Sequence, residues 1–488
     1  MESNQHSSFA KVTIRGTFWS YLSVYTGKLL VFVSTIILAR LLSKSDFGVV
    51  GYAFIVTSFL DALNGLGIGP ALIYHKDEPE TADTAFWLGL AVGIGLFVLT
   101  WIAAPFIGDY FNDERAVGVV RMMVLVYPIS AFGNVNSIYL AKRLDFRKKF
   151  IPEVSYALVK GVVSVVMAFL GFGYWSQVWG QVIANGASVV VAKMVNPWKP
   201  SLHFSRPIAK SMLKYGLNIV VLDTLANLLN NADYLFIGRY LGTEALGVYT
   251  LGFRIPDMVL TQFARIVSEV IFPVYVKMRN NAEALNRNFT RSLQYVSLVT
   301  IPLGLGIALT AEPFVMAFFT DKWVEAIPVI RGIAIYALLL SLFRNAGSFY
   351  KAQGKPEVLT YLTIVRLAIL LPALWFALSR YRSIIAVAWV QASVALISGV
   401  LSLVVAGRMF HISVWNILDQ FRPGAISGIL MAGGVVGLLR LIAGWHPLLQ
   451  LVMAVLVGAV VYIGTLYLQG PQRIRDISGI LRNTIKGG

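Results

Sequence analysis

The chain contains no cysteine. Disulfide frameworks, thiolate metal sites and cysteine nucleophiles are thereby excluded. Histidine is scarce, and His6, His75, His203, His411 and His446 are scattered without the spacing of a metal site. Charge is the largest deficit: only 13% of the 488 residues are Asp, Glu, Lys or Arg, about half of the ~25% usual in soluble proteins. No GxxxxGK[ST] loop occurs, so the chain is not expected to hydrolyse ATP itself. The glycine-rich run Gly65-Leu66-Gly67-Ile68-Gly69-Pro70 follows no strand, and it reads as close helix packing or a kink rather than a dinucleotide loop.

What is present is apolar. Hydrophobic residues make up 57% of the chain, and the mean hydropathy is +0.70. A chain of this size cannot hide that much apolar surface in water, which leaves lipid as its solvent. Runs long enough to span a bilayer as helices lie near 16–39, 47–72, 85–108, 117–140, 152–172, 175–194, 216–240, 247–276, 290–311, 325–350, 357–378, 383–406, 423–443 and 447–468. Each holds roughly the 20 apolar residues that a span requires. The segments lack the ten-residue alternation of a barrel, so backbone satisfaction in lipid points to an all-α integral membrane bundle of about fourteen helices. The polar opening, Met1-Glu2-Ser3-Asn4-Gln5-His6, lacks the pattern of a cleavable signal peptide, so the first span is expected to be retained.

The net charge of +17 could suggest a nucleic-acid partner. Its distribution says otherwise. Basic residues crowd into alternate loops: Lys142, Arg143, Arg147, Lys148 and Lys149; then Lys193, Lys199, Arg206, Lys210 and Lys214; then Lys277, Arg279, Arg287 and Arg291. The intervening loops are sparse, with Arg115, Lys322 and Arg440. The positive-inside rule then puts both termini in the cytoplasm, which requires an even number of spans.

An internal duplication organises the chain. Arg40-Leu41-Leu42 with Gly48-Val49 matches Arg239-Tyr240-Leu241 with Gly247-Val248. Pro105-Phe106-Ile107 and Tyr110-Phe111-Asn112-Asp113 match Pro313-Phe314-Val315 and Phe318-Phe319-Thr320-Asp321. Val120-Arg121 matches Ile330-Arg331, and Phe132, Asn134, Ser137, Tyr139 and Ala141 match Phe343, Asn345, Ser348, Tyr350 and Ala352. The offset grows slowly, from 199 residues at Gly48 and Gly247 to 211 at Asn134 and Asn345. Four collinear matches are hard to ascribe to chance. Six spans separate the copies, so both enter the membrane in the same sense, as parallel repeats of a transporter do. The expected organisation is an N-lobe over 1–195, a basic cytoplasmic linker over 196–214 with Pro197, Pro200 and Pro207, a C-lobe over 215–410, and two further helices with a tail over 411–488.

Ionisable residues inside spans are costly and mark function by default. Lys28 and Asp61 lie near the centres of the first two spans. The seventh carries Asp223 and Asp233; the eighth carries Arg254, Asp257, Thr261, Arg265 and Glu269 at spacings of three or four residues, one polar stripe on a helix. Arg344 and Arg366 lie on the tenth and eleventh. The functional reading is a cationic, hydrated cavity: Lys28, Arg254, Arg265, Arg344 and Arg366 would make charge-assisted hydrogen bonds to an anionic group such as a diphosphate. The acids Asp61, Asp223, Asp233, Asp257 and Glu269 would tune those cations or carry a coupling ion. The blander reading pairs Arg254 with Asp257 and Arg265 with Glu269 as local salt bridges. Lys28, Arg344 and Arg366 have no acid three or four residues away along the chain. Arg121 and Arg331, at matching repeat positions near span ends, read as snorkelling anchors.

The chain resembles the Wzx-type polysaccharide flippases of the MOP exporter superfamily, most nearly the colanic-acid and xanthan kind. The resemblance is carried by Gly16-Thr17-Phe18-Trp19, Ala39-Arg40-Leu41-Leu42 through Asp46-Phe47-Gly48, and Leu202-His203-Phe204-Ser205. It continues in Asn230-Asn231-Ala232-Asp233 through Gly238-Arg239-Tyr240-Leu241-Gly242, Leu246-Gly247-Val248-Tyr249, Phe272-Pro273, Asp321-Lys322-Trp323 and Pro328-Val329. It implies two pseudo-symmetric six-helix lobes plus two helices in a bacterial inner membrane. It also implies translocation of an undecaprenyl-diphosphate-linked oligosaccharide to the periplasmic leaflet by alternating access. That movement would be coupled to a proton or sodium gradient, with no other cofactor. Membrane lipids, and a glycan polymerase with its export machinery, are the implied partners. In related flippases the last two helices can form a groove for the lipid tail; Gly433-Gly434 and Gly437 would allow a close approach there, and ordinary helix packing explains them equally well.

Two alternatives stay open. A cation-coupled multidrug antiporter of the same superfold would want an acid-dominated, aromatic cavity, whereas the interior charges here lean basic. A membrane glycan polymerase or ligase would need a large outer loop with catalytic groups, and only Asp109, Asp113 and Glu114 cluster on that side.

Overall fold

The structure, a computed structural model, describes residues 25–65, 68–69, 72 and 79–470. His6, His75, the Gly16-Thr17-Phe18-Trp19 motif, the polar opening, Leu66, Gly67 and Pro70 of the glycine-rich run, and 471–488 lie outside the described residues.

All secondary structure among the described residues is helical. The first helix, α1, covers 25–41. It is followed by α2 (Lys44–Gly65), α3 (Pro79–Phe111), α4 (Arg115–Met123), α5 (Val126–Lys142), α6 (Phe146–Phe169), α7 (Trp175–Val195), α8 (Arg206–Tyr240) and α9 (Gly242–Pro256). A π-turn over Asp257–Thr261 leads into α10 (Gln262–Met278). Then come α11 (Ala282–Phe318), a 3-10 turn at Asp321–Trp323, α12 (Ala326–Ala352), α13 (Pro356–Tyr381), α14 (Ile384–Phe410), the short α15 (Val414–Asp419), α16 (Arg422–Leu441) and α17 (Pro447–Gln469).

Twelve helical segments among the described residues are long and apolar enough to cross a membrane. Two of the fourteen expected spans are not among them. The run at 16–39 begins outside the described residues. The run at 216–240 lies within α8, where its apolar character is diluted by Asp223, Asp233, Asn218, Asn227, Asn230 and Asn231.

The chain divides into two compact units, residues 1–247 and 248–487. In the first, α2, α3, α4, α5 and α7 share a core of Val49, Val50, Ala104, Val119, Val120, Met123, Tyr127 and Val178. A second cluster joins α3, α5 and the start of α8 through Phe86, Tyr139 and Met212. The expected linker 196–214 is only partly extended: α8 begins at Arg206, with Pro207 in the first turn, where its missing N–H costs nothing. The extended part is strapped down. Asp83, itself buried, accepts hydrogen bonds from the Ser201 backbone N–H (2.9 Å) and hydroxyl; Trp87 Nε1 donates to the Ser201 carbonyl (2.8 Å); Asn136 and Asn196 exchange amide-to-carbonyl bonds of 2.7 and 3.0 Å.

In the second unit α12 is enclosed by α10, α11 and α14, and Phe289, Phe349, Tyr275, Tyr350 and Leu403 form its main core. The hairpin α16–α17 docks on α11, where Tyr462 donates to the Leu298 carbonyl at 2.9 Å. Gly434 lies against Val461, while Gly433 and Gly437 face open space. Of the three glycines expected to allow close approach, Gly434 alone meets a neighbour.

The duplication is written into the backbone as well. Asn112 (φ 52°) and Thr320 (φ 81°) both take left-handed conformations just past α3 and α11, at matching repeat positions. Gly171 (φ 84°) after α6 and Arg382 (φ 46°) after α13 do the same. Non-glycine residues adopt this conformation only where the fold requires the turn.

Candidate functional site

The second unit gathers five of the sequence-predicted residues. Arg344 is half-buried on α12 and interacts electrostatically with Asp257 of the π-turn, Arg265 and Glu269 of α10, and Tyr336 about two turns back on its own helix. Arg366 on α13 donates through Nη2 to the Tyr336 hydroxyl at 3.4 Å and lies over the same ring, 5.9 Å from its centroid. Tyr336 is only 4% exposed and packs on Phe253 at 5.9 Å. One tyrosine therefore holds the Arg366 guanidinium directly and acts electrostatically on Arg344.

The local sequence explains this placement. Pro256 removes a backbone donor inside the α9–α10 run, and the π-turn follows at once. Its Leu260 carbonyl accepts a bond of 3.1 Å from Ser341 on α12, which pins the irregular turn to the helix bearing Arg344. The extra residue breaks the single stripe expected from spacing. Arg254 belongs to the helix before the turn; Arg265 and Glu269 belong to the helix after it. None of the ion pairs among the described residues involves Asp257, Arg265 or Glu269, so Arg265 and Glu269 are not locked together. Both are exposed.

Arg366 Nε, Asn345 Nδ2 and Gln391 Oε1 are buried with no hydrogen-bond partner among the described residues. Orphaned buried polar atoms are costly, and three in one unit mark it as polar inside. Arg254 is half-buried on α9.

The first unit holds four more candidates. Lys28 is half-buried on α1, whose Gly27 and Ser34 pack on Ala157 and Gly161 of α6. Asp61 on α2 faces the Tyr127 hydroxyl at 3.0 Å, which also lies 2.9 Å from the Thr57 carbonyl. On α8, Asp223 is exposed and Asp233 is fully buried. Arg121 stacks over Trp101 at 5.1 Å, and in the second unit Arg331 pairs with Glu312 at 3.2 Å. Each of these repeat-related arginines reaches back to the long helix before it. An open, mainly apolar cavity of about 260 Å³ between α2, α3 and α5 carries two amides, Asn64 and Asn134.

The profile of the family described as "Polysaccharide biosynthesis protein" matches residues 37–328, more than half of the chain. The chain belongs to that family. A curated relative, the teichuronic acid biosynthesis protein TuaB of Bacillus subtilis, is 25% identical over 472 residues, 95% of this chain and 97% of that protein. The succinoglycan biosynthesis transport protein ExoT of Rhizobium meliloti is 27% identical, covering 73% of this chain and 72% of its own. The lipopolysaccharide biosynthesis protein WzxC of Escherichia coli is 24% identical, covering 75% of each.

Among solved structures, the lipid II flippase MurJ in an inward closed conformation superposes with a TM-score of 0.75 at 14% identity, over 94% of this chain and 100% of that one. An inward-facing multidrug resistance MATE family transporter of the MOP superfamily gives 0.65 at 18%, over 81% and 95%. At such identities the likeness is one of fold. The fold class expected from the family resemblance is thereby met at the level of a helical MOP-type bundle. The family profile includes Asp61, Asp223, Asp233, Arg254, Asp257, Arg265 and Glu269, and it stops short of Arg344 and Arg366.

Sequence reading missed three kinds of residue in this family member. Tyr336 and Tyr127 are uncharged and so pass unnoticed in an aromatic-rich chain. Lys160 sits in the middle of α6, half-buried, with its ammonium 5.4 Å from the Phe54 ring and 5.8 Å from that of Tyr156. The rule that singled out Lys28 would have found it. The orphaned amides of α7, Gln177, Gln181 and Asn185, recur at helical spacing but carry no charge to flag them.

Proposed function

We propose that this protein is a flippase for an undecaprenyl-diphosphate-linked oligosaccharide repeat unit. It would move that unit from the cytoplasmic to the periplasmic leaflet of a bacterial inner membrane for exopolysaccharide or O-antigen assembly. The observation that carries this reading is the Arg344–Tyr336–Arg366 arrangement inside an apolar bundle. Guanidinium groups are retained at such depth, against a cost of several kcal/mol, when they have an anion to meet. A diphosphate offers several anionic oxygens, paired acceptors that suit the planar fork of arginine better than any other side chain.

The roles follow from chemistry. Arg344 and Arg366 hold the diphosphate, with Arg265 able to join from α10; Tyr336 orients Arg366 through its hydroxyl and ring. Glu269 and Asp257 offset the cations when cargo is absent. Lys28 and Arg254 contribute further positive charge. Asp61, Asp223 and Asp233 are the candidates for a coupling proton or sodium ion. Two six-helix lobes would exchange access between the faces, and the exported glycan would pass to a polymerase and export machinery.

The test is reconstitution in vesicles with a fluorescent polyprenyl-diphosphate glycan. Arg344→Ala and Arg366→Ala should each reduce translocation at least tenfold, while the protein still inserts. Near-normal translocation by both would reject the cationic site. The MATE likeness makes a drug antiporter the second reading. Ion-coupled efflux of a cationic dye, unaffected by these two substitutions, would favour it.

A further inference from the structure

Four inter-helix turns meet at one end of the first unit: α1–α2, α3–α4, α6–α7 and α8–α9. Arg115 is their hub. Its Nε and Nη2 hold the Asp113 carboxylate at 2.9 and 2.8 Å, and its Nη1 donates to Ser45 Oγ at 2.9 Å. Thr243, in the first turn of α9, donates to Asp113 Oδ2 at 2.7 Å and lies 3.0 Å from the Tyr52 hydroxyl of α2. Arg239, at the end of α8, donates to the Tyr110 carbonyl at 2.7 Å and to Asn112 Oδ1 at 3.0 Å. Asp46 accepts from the Tyr174 backbone N–H at 2.9 Å.

Under this polar ring α2 meets α9 backbone to backbone. A Cβ on Gly48 would strike the carbonyl of Thr243, and a Cβ on Gly247 would strike the carbonyl of Lys44. Both glycines are required for a physical reason: no side chain fits between the helices. Gly48 and Gly247 are equivalent positions in the duplication, 199 residues apart, and Lys44 and Thr243 are separated by the same offset. The contact is therefore reciprocal, each repeat pressing its glycine onto the carbonyl that the other repeat offers at the matching place. Such self-complementary contacts belong on a two-fold axis.

We propose that the reciprocal Gly48–Gly247 contact, with the Asp113–Arg115–Thr243–Tyr52 ring above it, is a latch. It closes one end of the translocation path in the state seen here and opens in the opposite state. This rests on the transport reading above. The construction suits a part that must open and close repeatedly. Two bare backbones give an all-or-none fit, because close-packed contacts do not deform gradually. Arg115, the hub of the ring, is exposed, so water can replace its bonds at small net cost when the ring opens. On the positive-inside orientation this is the periplasmic end.

The chain has no cysteine, so a single introduced thiol reports alone. Leu246 is fully buried beneath the ring. Leu246→Cys should react slowly with a membrane-impermeant maleimide. Asp113→Asn or Arg115→Gln should raise that rate about tenfold or more, since a charge-assisted pair is lost. Gly48→Ala, which wedges the backbones apart, should act in the same direction. Equal rates in all backgrounds would overturn the latch, and this outcome does not depend on what the protein carries. In a second arm, Asn112→Cys and Arg239→Cys are joined by a short, reducible thiol cross-linker. Bridging should stop translocation of the fluorescent lipid-linked glycan, and reduction should restore it. Continued translocation with the bridge in place would also overturn the proposal. If the protein without introduced cysteines moves no glycan, the transport reading fails, and the labelling arm still decides the latch.

Discussion

Tyr336 is the residue on which the candidate site turns, and it is the one that spacing rules do not find. Charges stand out in apolar spans, so Arg344, Arg366, Arg265, Asp257 and Glu269 were legible one by one. Their convergence was not, because it depends on how α10, α12 and α13 pack. Tyr336→Phe keeps the ring under Arg366 and removes only the hydroxyl. Its expected effect is a loss of about 1 kcal/mol in cargo binding, roughly a fivefold weaker apparent affinity, against a hundredfold for Arg366→Ala. Titration of vesicle translocation against cargo concentration separates the two; equal effects would mean that Tyr336 does not act through its hydroxyl. Asp113, in the turn after α3, makes a pH prediction. Burial alone would raise its carboxyl, but the hydrogen bonds from Arg115 and Thr243 outweigh this and hold it below the ordinary carboxylate range. A depressed value stabilises the folded turn at all pH above the unfolded value, near 4, and the contribution is lost as pH falls through the lowered one. Labelling of Leu246→Cys with a reagent that reacts independently of pH should therefore stay flat from neutral pH to about 5 and rise only in stronger acid. In Asp113→Asn that acid rise should be absent.

At the scale of elements, periodicity located the helices well and misjudged one detail that matters. A repeat of three and four residues from Arg254 to Glu269 reads as one continuous stripe. The π-turn at Asp257–Thr261 inserts a residue and turns the second half of that stripe away from the first. The only local hint was Pro256, and proline inside a span is too common to announce a π-turn. Deleting Met258 should restore an α-helical register and rotate α10 by about 100° relative to α9. Arg265 and Glu269 would then leave Arg344. The expected result is a protein that inserts and remains helical by circular dichroism but does not translocate cargo. Ser341→Ala is the milder probe. It strands the Leu260 carbonyl and should cost about 1 kcal/mol of stability, visible as a lower midpoint of thermal unfolding in detergent. The linker shows the same limit of sequence reading. Sequence reading places a basic linker with three prolines over 196–214, yet Pro207 lies in the first turn of a helix, because that is where proline costs least.

At the scale of the whole molecule, orientation follows from counting. Twelve apolar segments are found among the described residues; α1 and α8 would bring them to the fourteen crossings expected from the sequence, an even number. Hydropathy alone could not complete that count, because α8 carries two acids and four asparagines over 216–240. The charge pattern supplies an independent argument: the basic turn after α5, with Arg143, Arg147, Lys148 and Lys149, should face the cytoplasm, and the turn after α3, with Asn112 and Asp113, should face the periplasm. Leu144 and Asn112 are both exposed in their turns. In the cysteine-free chain, Asn112→Cys should react with an impermeant reagent added to intact cells, and Leu144→Cys should react only after permeabilisation. Tags at both ends of the chain should likewise be shielded in intact cells. Reaction of both thiols from outside would break the alternation on which the even count depends. It would also move the latch to the cytoplasmic end, so the side from which cargo enters would have to be reversed.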